Sequence, residues 1–283
     1  MQISAPDFDL TLTLDSGQTF HWDPSGNGFL GAIGERAVYV EQRGKKLLVR
    51  PDGAARNCAR YFSLDHPLSA ICASLPTDPA MQAAAQFCRG LRIMRQPRWE
   101  CLATFITSSM KQVTHIRQIS LTLRRRFGNR RSLGKSTVFT YPSAERIAGL
   151  TETILRSCAL GYRAKNLLAT ARLIASGKVG LDVFDQLPDE ELRARLCTLP
   201  GVGIKVANCV MLFAYERLRA FPIDVWVERV LREKYFRGHH KPTAAQLREF
   251  AAHHFGEHGG YAQQYLFHHA RKTTPRRLSR GVR

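Results

Sequence analysis

Acidic residues are scarce in this chain: 23 Asp and Glu stand against 42 Lys and Arg, for a formal charge of +19 over 283 residues. Paired cysteines are missing too. The seven present (Cys58, Cys72, Cys88, Cys101, Cys158, Cys197, Cys209) are scattered singly, with no C-x-x-C among them. That odd, dispersed set argues against a secreted disulfide framework and fits a reduced, intracellular compartment. The first residues lack a basic segment followed by an apolar run, so no signal peptide is expected. No apolar stretch approaches the roughly 18 residues of a membrane span. Repeats and low-complexity tracts are absent.

With 44% hydrophobic residues, the chain can bury one large core or two smaller ones. Its charge is unevenly placed. Residues 1–60 hold seven basic and seven acidic side chains, leaving 35 basic against 16 acidic in the remainder. Such asymmetry implies that the later region meets a polyanion, with a basic but non-binding surface as the alternative.

From Phe8 to Arg50 the pattern is strand-like. The runs Asp9–Leu14, Phe29–Ile33, Ala37–Gln42 and Lys46–Arg50 alternate with turns at 24–28, Gly34-Glu35 and Gly44. An antiparallel sheet accounts for them. After about Ala54 apolar residues recur three or four apart, and helices are expected over Met81–Leu91, Trp99–Thr107, Val113–Phe127, Ala144–Cys158, Arg163–Ser176, Asp189–Cys197, Lys205–Tyr215, Val225–Phe236 and Thr243–Phe255. Arg271 to Arg283, with six Lys/Arg and little to pack, reads as a flexible basic tail.

The most informative stretch is Leu196-Cys-Thr-Leu-Pro-Gly-Val-Gly-Ile-Lys205-Val-Ala-Asn-Cys-Val-Met-Leu-Phe213. One helix ends near Cys197, Leu199-Pro-Gly-Val-Gly203 makes a tight turn, and a second helix starts at once. Gly201 and Gly203 let the backbone approach a ligand, and the amides opening the second helix can meet a phosphate oxygen. This is a helix–hairpin–helix, a device that grips the DNA backbone without reading its sequence. Lys205 follows on the first turn, where the helix macrodipole and partial burial both disfavour the ammonium, as an amine nucleophile requires. Nineteen residues on, Phe221-Pro-Ile-Asp224-Val-Trp-Val opens another helix with Asp224 at the N-cap, from which its carboxylate can face the pocket of Lys205.

A Gly/Pro hairpin, a lysine and Pro-x-Asp at this separation resemble the helix–hairpin–helix–Gly/Pro–Asp superfamily of base-excision DNA glycosylases. Further segments resemble its 8-oxoguanine DNA glycosylase/AP lyase branch: Gly17-Gln-Thr-Phe-His-Trp22, Leu91-Arg-Ile-Met-Arg-Gln96, Glu100-Cys-Leu-Ala-Thr-Phe-Ile-Thr-Ser-Ser109, Leu160-Gly-Tyr-Arg-Ala164 and Tyr261-Ala-Gln-Gln-Tyr-Leu-Phe267. They run in family order over roughly residues 8 to 270. The resemblance implies an α+β fold: an N-terminal antiparallel sheet domain like half of a TATA-binding protein, then two mostly helical subdomains with the active site between them. The domains would be 1–90 (sheet and linking helix), 91–270 (glycosylase) and 271–283 (tail).

By the same resemblance, Lys205 would attack C1′ of the damaged nucleoside, expel the base and form a Schiff base, with Asp224 stabilising positive charge at the sugar. β-Elimination would then nick the strand. The flipped base would lie between Phe267 and Cys209, with the Gly17 carbonyl accepting from the lesion's N7 hydrogen and Gln263 at the Watson–Crick edge. Met110, Lys111, Gln112, His115, Tyr162, Arg163, Gly201, Gly203 and Trp226 would face the DNA. Double-stranded damaged DNA is the expected partner of a monomer. No cofactor or metal is expected, because no cysteine follows Cys209 to complete the iron–sulfur cluster of the endonuclease III branch and the adjacent histidine pairs lack a third ligand.

The chain departs from the pattern at several positions. Met110-Lys111-Gln112 replaces a run of asparagines, and His115 an arginine, so a looser preference for cytosine opposite the lesion is expected. Met110 remains able to act as an apolar wedge. Asn208 stands where aspartate is frequent, and Trp226 where histidine is. Rival readings are a monofunctional alkylbase glycosylase, which would not need the amine, a non-catalytic hairpin DNA-binding protein, and a basic RNA-binding protein. The clusters Arg124–Arg126 and Arg130-Arg131 are expected to contact phosphates or to form a solvated face.

Overall fold

The computed structural model describes residues 1–109, 111–236, 238 and 241–274. Its N-terminal part is a five-stranded antiparallel sheet, with β1 (Gln2–Ser4), β2 (Asp23–Ser25), β3 (Gly28–Ile33), β4 (Arg36–Arg43) and β5 (Lys46–Arg50) in the order β1-β5-β4-β3-β2. Register is set by alternation. Leu47 and Val49 point into a core with Val38, Val40, Trp22 and Phe62, and Val40 pairs with Val49. Pro24, expected within a turn, instead lies in the edge strand β2, where its missing N–H costs no ladder bond.

One expected strand is a helix. Residues Leu10–Asp15 form α1, capped by Asp9, whose carboxylate accepts from Leu12 N at 2.7 Å. Leu-Thr alternation mimics a strand, yet the buried positions are Leu10, Thr13 and Leu14, a helical set. The cap decided the outcome.

Beyond the sheet the chain is mostly helical: α2 (Ala55–Tyr61), α3 (Leu68–Ala73), α4 (Pro79–Phe87), α5 (Arg98–Ser108) and α6 (Val113–Phe127). A hairpin of β6 (Arg130–Leu133) and β7 (Ser136–Phe139) follows, its Arg131 paired with Glu35 at 2.5 Å. The expected helix Ala144–Cys158 is split into α7 (Ala144–Ala148) and α8 (Glu152–Leu155), because Gly149 ends the first and Thr151 caps the second. Then come α9 (Arg163–Ala175), α10 (Asp189–Cys197), α11 (Ile204–Ala214), α12 (Val225–Val230), α13 (Ala244–Phe255) and α14 (Gly259–Thr273). The helices from α3 onward share a second, larger core, whereas α2 packs into that of the sheet.

The helix α14 is buried along most of its length, although Gln263, Gln264 and His268 are among its buried side chains. Gly260 lets it press against α11: a Cβ there would stand 2.2 Å from Leu212 Cδ1. This helix continues to Thr273, so Arg271 and Lys272 belong to it rather than to a tail. Arg271 forms an ion pair with Asp15 at 3.8 Å. The remainder of the expected tail, 275–283, lies outside the described residues.

The junction of sheet and helices is polar and buried. Glu100 pairs with Arg124, and His21 Nδ1 lies 3.5 Å from the same carboxylate. Burial and the Arg124 charge hold His21 well below its usual pKa, so it is neutral. Arg124, expected at a phosphate, is 2% exposed and committed to Glu100. Among the described residues, no helix is long and apolar enough to cross a membrane.

Candidate active site

The turn between α10 and α11 is held from behind. Thr170 of α9 donates to Pro200 O at 3.0 Å, and Val202 N to Leu199 O at 3.0 Å. Gly201 has φ +82°, and a Cβ there would meet Asn166 Cβ at 2.8 Å. Only glycine fits both the conformation and the space. Gly203 is the N-cap of α11, without a side-chain cap and with open space where its Cβ would be. The helix therefore presents its first amides to whatever approaches.

Lys205 lies half-buried in the first turn of α11, its Nζ 5.3 Å from the centroid of the Phe105 ring. Phe105 is itself stacked on Phe213 at 5.5 Å and meets Phe20 edge-on at 6.5 Å. One turn on, the buried Cys209 faces Lys205. Burial raises its thiol pKa, with the Lys205 charge acting in the opposite sense.

Asp224 caps α12: Oδ1 accepts from Trp226 N at 3.1 Å and Val227 N at 2.9 Å. Oδ2 is left for a second role. Burial raises the Asp224 pKa above the ordinary carboxylate value, opposed by the Val227 amide and the Lys205 charge. Asn208, buried on α11, fixes this loop by donating to Phe221 O at 3.3 Å while accepting from Arg193 Nε at 2.9 Å. An aspartate there would accept from Arg193 but could not donate to Phe221.

A second group of expected base-binding residues comes from the two ends of the chain. Gly17 has φ +85°, and a Cβ on it would stand 3.1 Å from Phe267 Cε1. Its position is secured by Gln18, which is wholly buried. The Gln18 amide donates to Arg92 O at 2.9 Å, its oxygen accepts from Met94 N at 2.9 Å, and Gln264 donates to Ser16 O at 2.8 Å. On α14, Gln263 is 4% exposed, yet its Oε1 has no hydrogen-bond partner among the described residues. A buried acceptor left idle is costly, and it is a ready contact for a ligand.

The other expected DNA contacts differ in exposure. Tyr162 is 55% exposed, before α9. Arg163 is buried, its Nε donating to Ser109 O at 2.8 Å and its Nη1 to Leu160 O at 3.3 Å. It thereby anchors the segment leading to Lys111. Lys111 is half-buried, whereas Gln112 and His115 are exposed at the start of α6. Trp226 is half-buried. Met110 lies outside the described residues, as do His239 and His240. Among the described residues no group of three or more His, Cys, Asp or Glu could hold a metal. Sequence reading did not single out Phe105 beneath Lys205 or Gln18 behind Gly17.

Comparisons with known proteins agree on one lineage. Residues 1–102 match the model of the 8-oxoguanine DNA glycosylase N-terminal domain, and residues 103–253 that of HhH-GPD superfamily base excision DNA repair proteins. A probable N-glycosylase/DNA lyase of Methanothermobacter thermautotrophicus is 29% identical, over 96% of each chain. The structure of MBOgg1 with a low-affinity DNA ligand superposes with a TM-score of 0.89 at 32% identity, covering 95% of this chain and 94% of that one. The 8-oxoguanine glycosylase/lyase of Clostridium acetobutylicum, with double-stranded DNA containing cytosine opposite 8-oxoG, gives 0.88 at 29%, covering 96% and 97%.

Proposed function

The chain belongs to the HhH-GPD superfamily of base excision DNA repair proteins, in its 8-oxoguanine DNA glycosylase branch, and we infer from this that it is a bifunctional glycosylase and AP lyase that excises 8-oxoguanine from duplex DNA. The observation that carries the reading is the half-buried Lys205 amine over Phe105, with the Asp224 carboxylate close enough to feel its charge.

A base in a duplex cannot reach such a recess, so the damaged nucleotide leaves the stack and enters between Phe267 and Cys209. The hairpin amides hold the phosphate backbone through Gly201 and Gly203. The Gly17 carbonyl accepts the N7 hydrogen that distinguishes 8-oxoguanine from guanine, and Gln263 addresses the Watson–Crick edge. Nζ of Lys205, as the neutral amine, attacks C1′, and the electrons of the C1′–N9 bond leave with the base, which takes up a proton. The Asp224 carboxylate stabilises the positive charge that builds on the sugar. The nitrogen sheds its protons as the sugar ring opens, giving a Schiff base. Loss of a C2′ proton then expels the 3′ phosphate.

Borohydride trapping on a duplex with one 8-oxoguanine tests this, comparing the wild type with Lys205→Gln. A covalent adduct that vanishes in the variant is expected. Base release without an adduct would place the protein with monofunctional glycosylases. Binding with neither release nor adduct would sink the enzymatic reading for this lesion.

A further inference from the structure

Gln263, Phe267 and Arg271 stand at i, i+4 and i+8 on α14, one stripe about 12 Å long on the face turned to Gly17. Phe267 offers the stacking surface, and Gln263 marks one end. At the other end the Arg271 guanidinium lies against the Phe267 ring, 5.6 Å from its centroid. It is held there from one side only. Nη2 donates to Asp15 O and lies 3.1 Å from His268 Nδ1, while the Asp15 carboxylate is 3.8 Å away. His268, kept near a pKa of about 4 by burial and the Arg271 charge, is a neutral acceptor.

The remaining donors are idle. Nε is buried with no partner, and Nη1 makes no hydrogen bond among the described residues. Nη1 is 3.7 Å from the point where a Gly17 Cβ would sit, beside the close contact of Gly17 with the Phe267 ring. A guanidinium with donors on Nε and Nη1 unused beside an aromatic stacking surface can serve an acceptor on a ligand, and among the described residues no side chain takes them up.

We propose that Arg271 is a specificity-determining residue of the base pocket, donating from Nη1 to a carbonyl oxygen that flanks N7 of the flipped purine. This rests on the reading of Gly17 and Phe267 as the walls of that pocket. N7 is flanked by O8, the oxygen that defines the lesion, and by O6. Either is a carbonyl acceptor within the plane that stacking on Phe267 imposes. The Asp15 anchor fixes the guanidinium before the base arrives, so little side-chain entropy is lost on binding.

The test measures kcat/KM on duplexes holding 8-oxoguanine, 8-oxoadenine or a preformed abasic site, each opposite cytosine, for the wild type, Arg271→Met and Asp15→Asn. Methionine keeps the packing on Phe267 without the donors. The ratio of 8-oxoguanine excision to abasic-site cleavage is expected to fall roughly ten- to a hundredfold in Arg271→Met, the loss of one charged hydrogen bond. In Asp15→Asn, which keeps the Arg271 bond to the backbone carbonyl, it falls by less than about threefold on the same scale. A parallel fall for 8-oxoadenine, which retains O8 and lacks O6, places the contact at O8. A fall confined to 8-oxoguanine places it at O6. An unchanged ratio, or an Asp15→Asn defect equal to that of Arg271→Met, would overturn the proposal and leave Arg271 as a strut. A wild type that cleaves abasic sites but releases no 8-oxoguanine would instead overturn the underlying reading of the pocket.

Discussion

Gly17 and Phe267 meet so closely that a methyl group on the glycine would stand 3.1 Å from the phenylalanine ring. The contact joins the loop after α1 to the last helix, and it makes the glycine's lack of a side chain a requirement of the pocket. Gly17→Ala carries two penalties. At φ +85° the left-handed backbone costs an alanine about 1–2 kcal/mol, lowering Tm by several degrees. The added methyl also narrows the slot for the base, so 8-oxoguanine release is expected to fall at least about tenfold, by a steric cost of about 1.4 kcal/mol. Thermal melts and single-turnover excision check the two effects separately.

Asp224 bears on pH. Its carboxyl pKa is raised by burial, so on acidification it takes up a proton at a higher pH than an exposed aspartate would. The charge needed at the sugar is lost as pH falls through that raised value, giving an acidic limb in the rate of base release. Asp224→Asn is expected to remove the limb and to lower the rate by about 10²–10³-fold, the scale of one electrostatic stabiliser. Stability should move the other way. Above its raised pKa the buried carboxylate disfavours the folded state, and asparagine caps helices as well as aspartate does. At neutral pH the variant should be at least as stable as the wild type, as denaturant titration will show.

Discrimination among opposite bases should be weak. Arg163 donates to the Ser109 and Leu160 carbonyls, and Gln112 and His115 stand exposed where the resemblance leads one to expect asparagine and arginine. A good bidentate base contact is worth about 1–3 kcal/mol. Without it, excision of 8-oxoguanine opposite the four bases should span less than about tenfold. A strong cytosine preference in single-turnover rates would refute this.

The buried Glu100–Arg124 pair predicts a large stability effect. Glu100→Gln leaves the guanidinium, 2% exposed, without its counter-charge, at a cost of about 3–5 kcal/mol. Replacing both Glu100 and Arg124 by apolar residues of similar volume should be far milder, and urea unfolding of the two variants distinguishes a charge effect from a packing one.

How far the sequence disclosed the molecule depended on the range of the interaction. Period-two burial made β5 legible, and Leu199-Pro-Gly-Val-Gly203 announced its hairpin because the turn is a local event. The alternation in Leu10–Leu14 pointed to a strand, and a capping aspartate prevailed. Arg124 and Arg271 look like surface charge in a basic sequence. Their true partners, Glu100 and Asp15, lie 24 and 256 residues away, which no local pattern encodes. Phe105 belongs to an apolar helix and gave no sign that a lysine would rest on it. Gln18 sits in a quoted motif, yet its three long-range buried bonds reach residues 92, 94 and 96.

That last side chain makes discernment conditional. Lys205, Asp224 and the hairpin are built within a short span of chain, whereas Gly17 reaches the pocket only because Gln18 is locked into the strap at 92–96. On the proposed assignment, chemistry and judgement are thus assembled separately. A molecule in which the strap came loose would keep its blade and its grip while losing its eye: it would still cut at abasic sugars, yet no longer tell a damaged purine from a sound one.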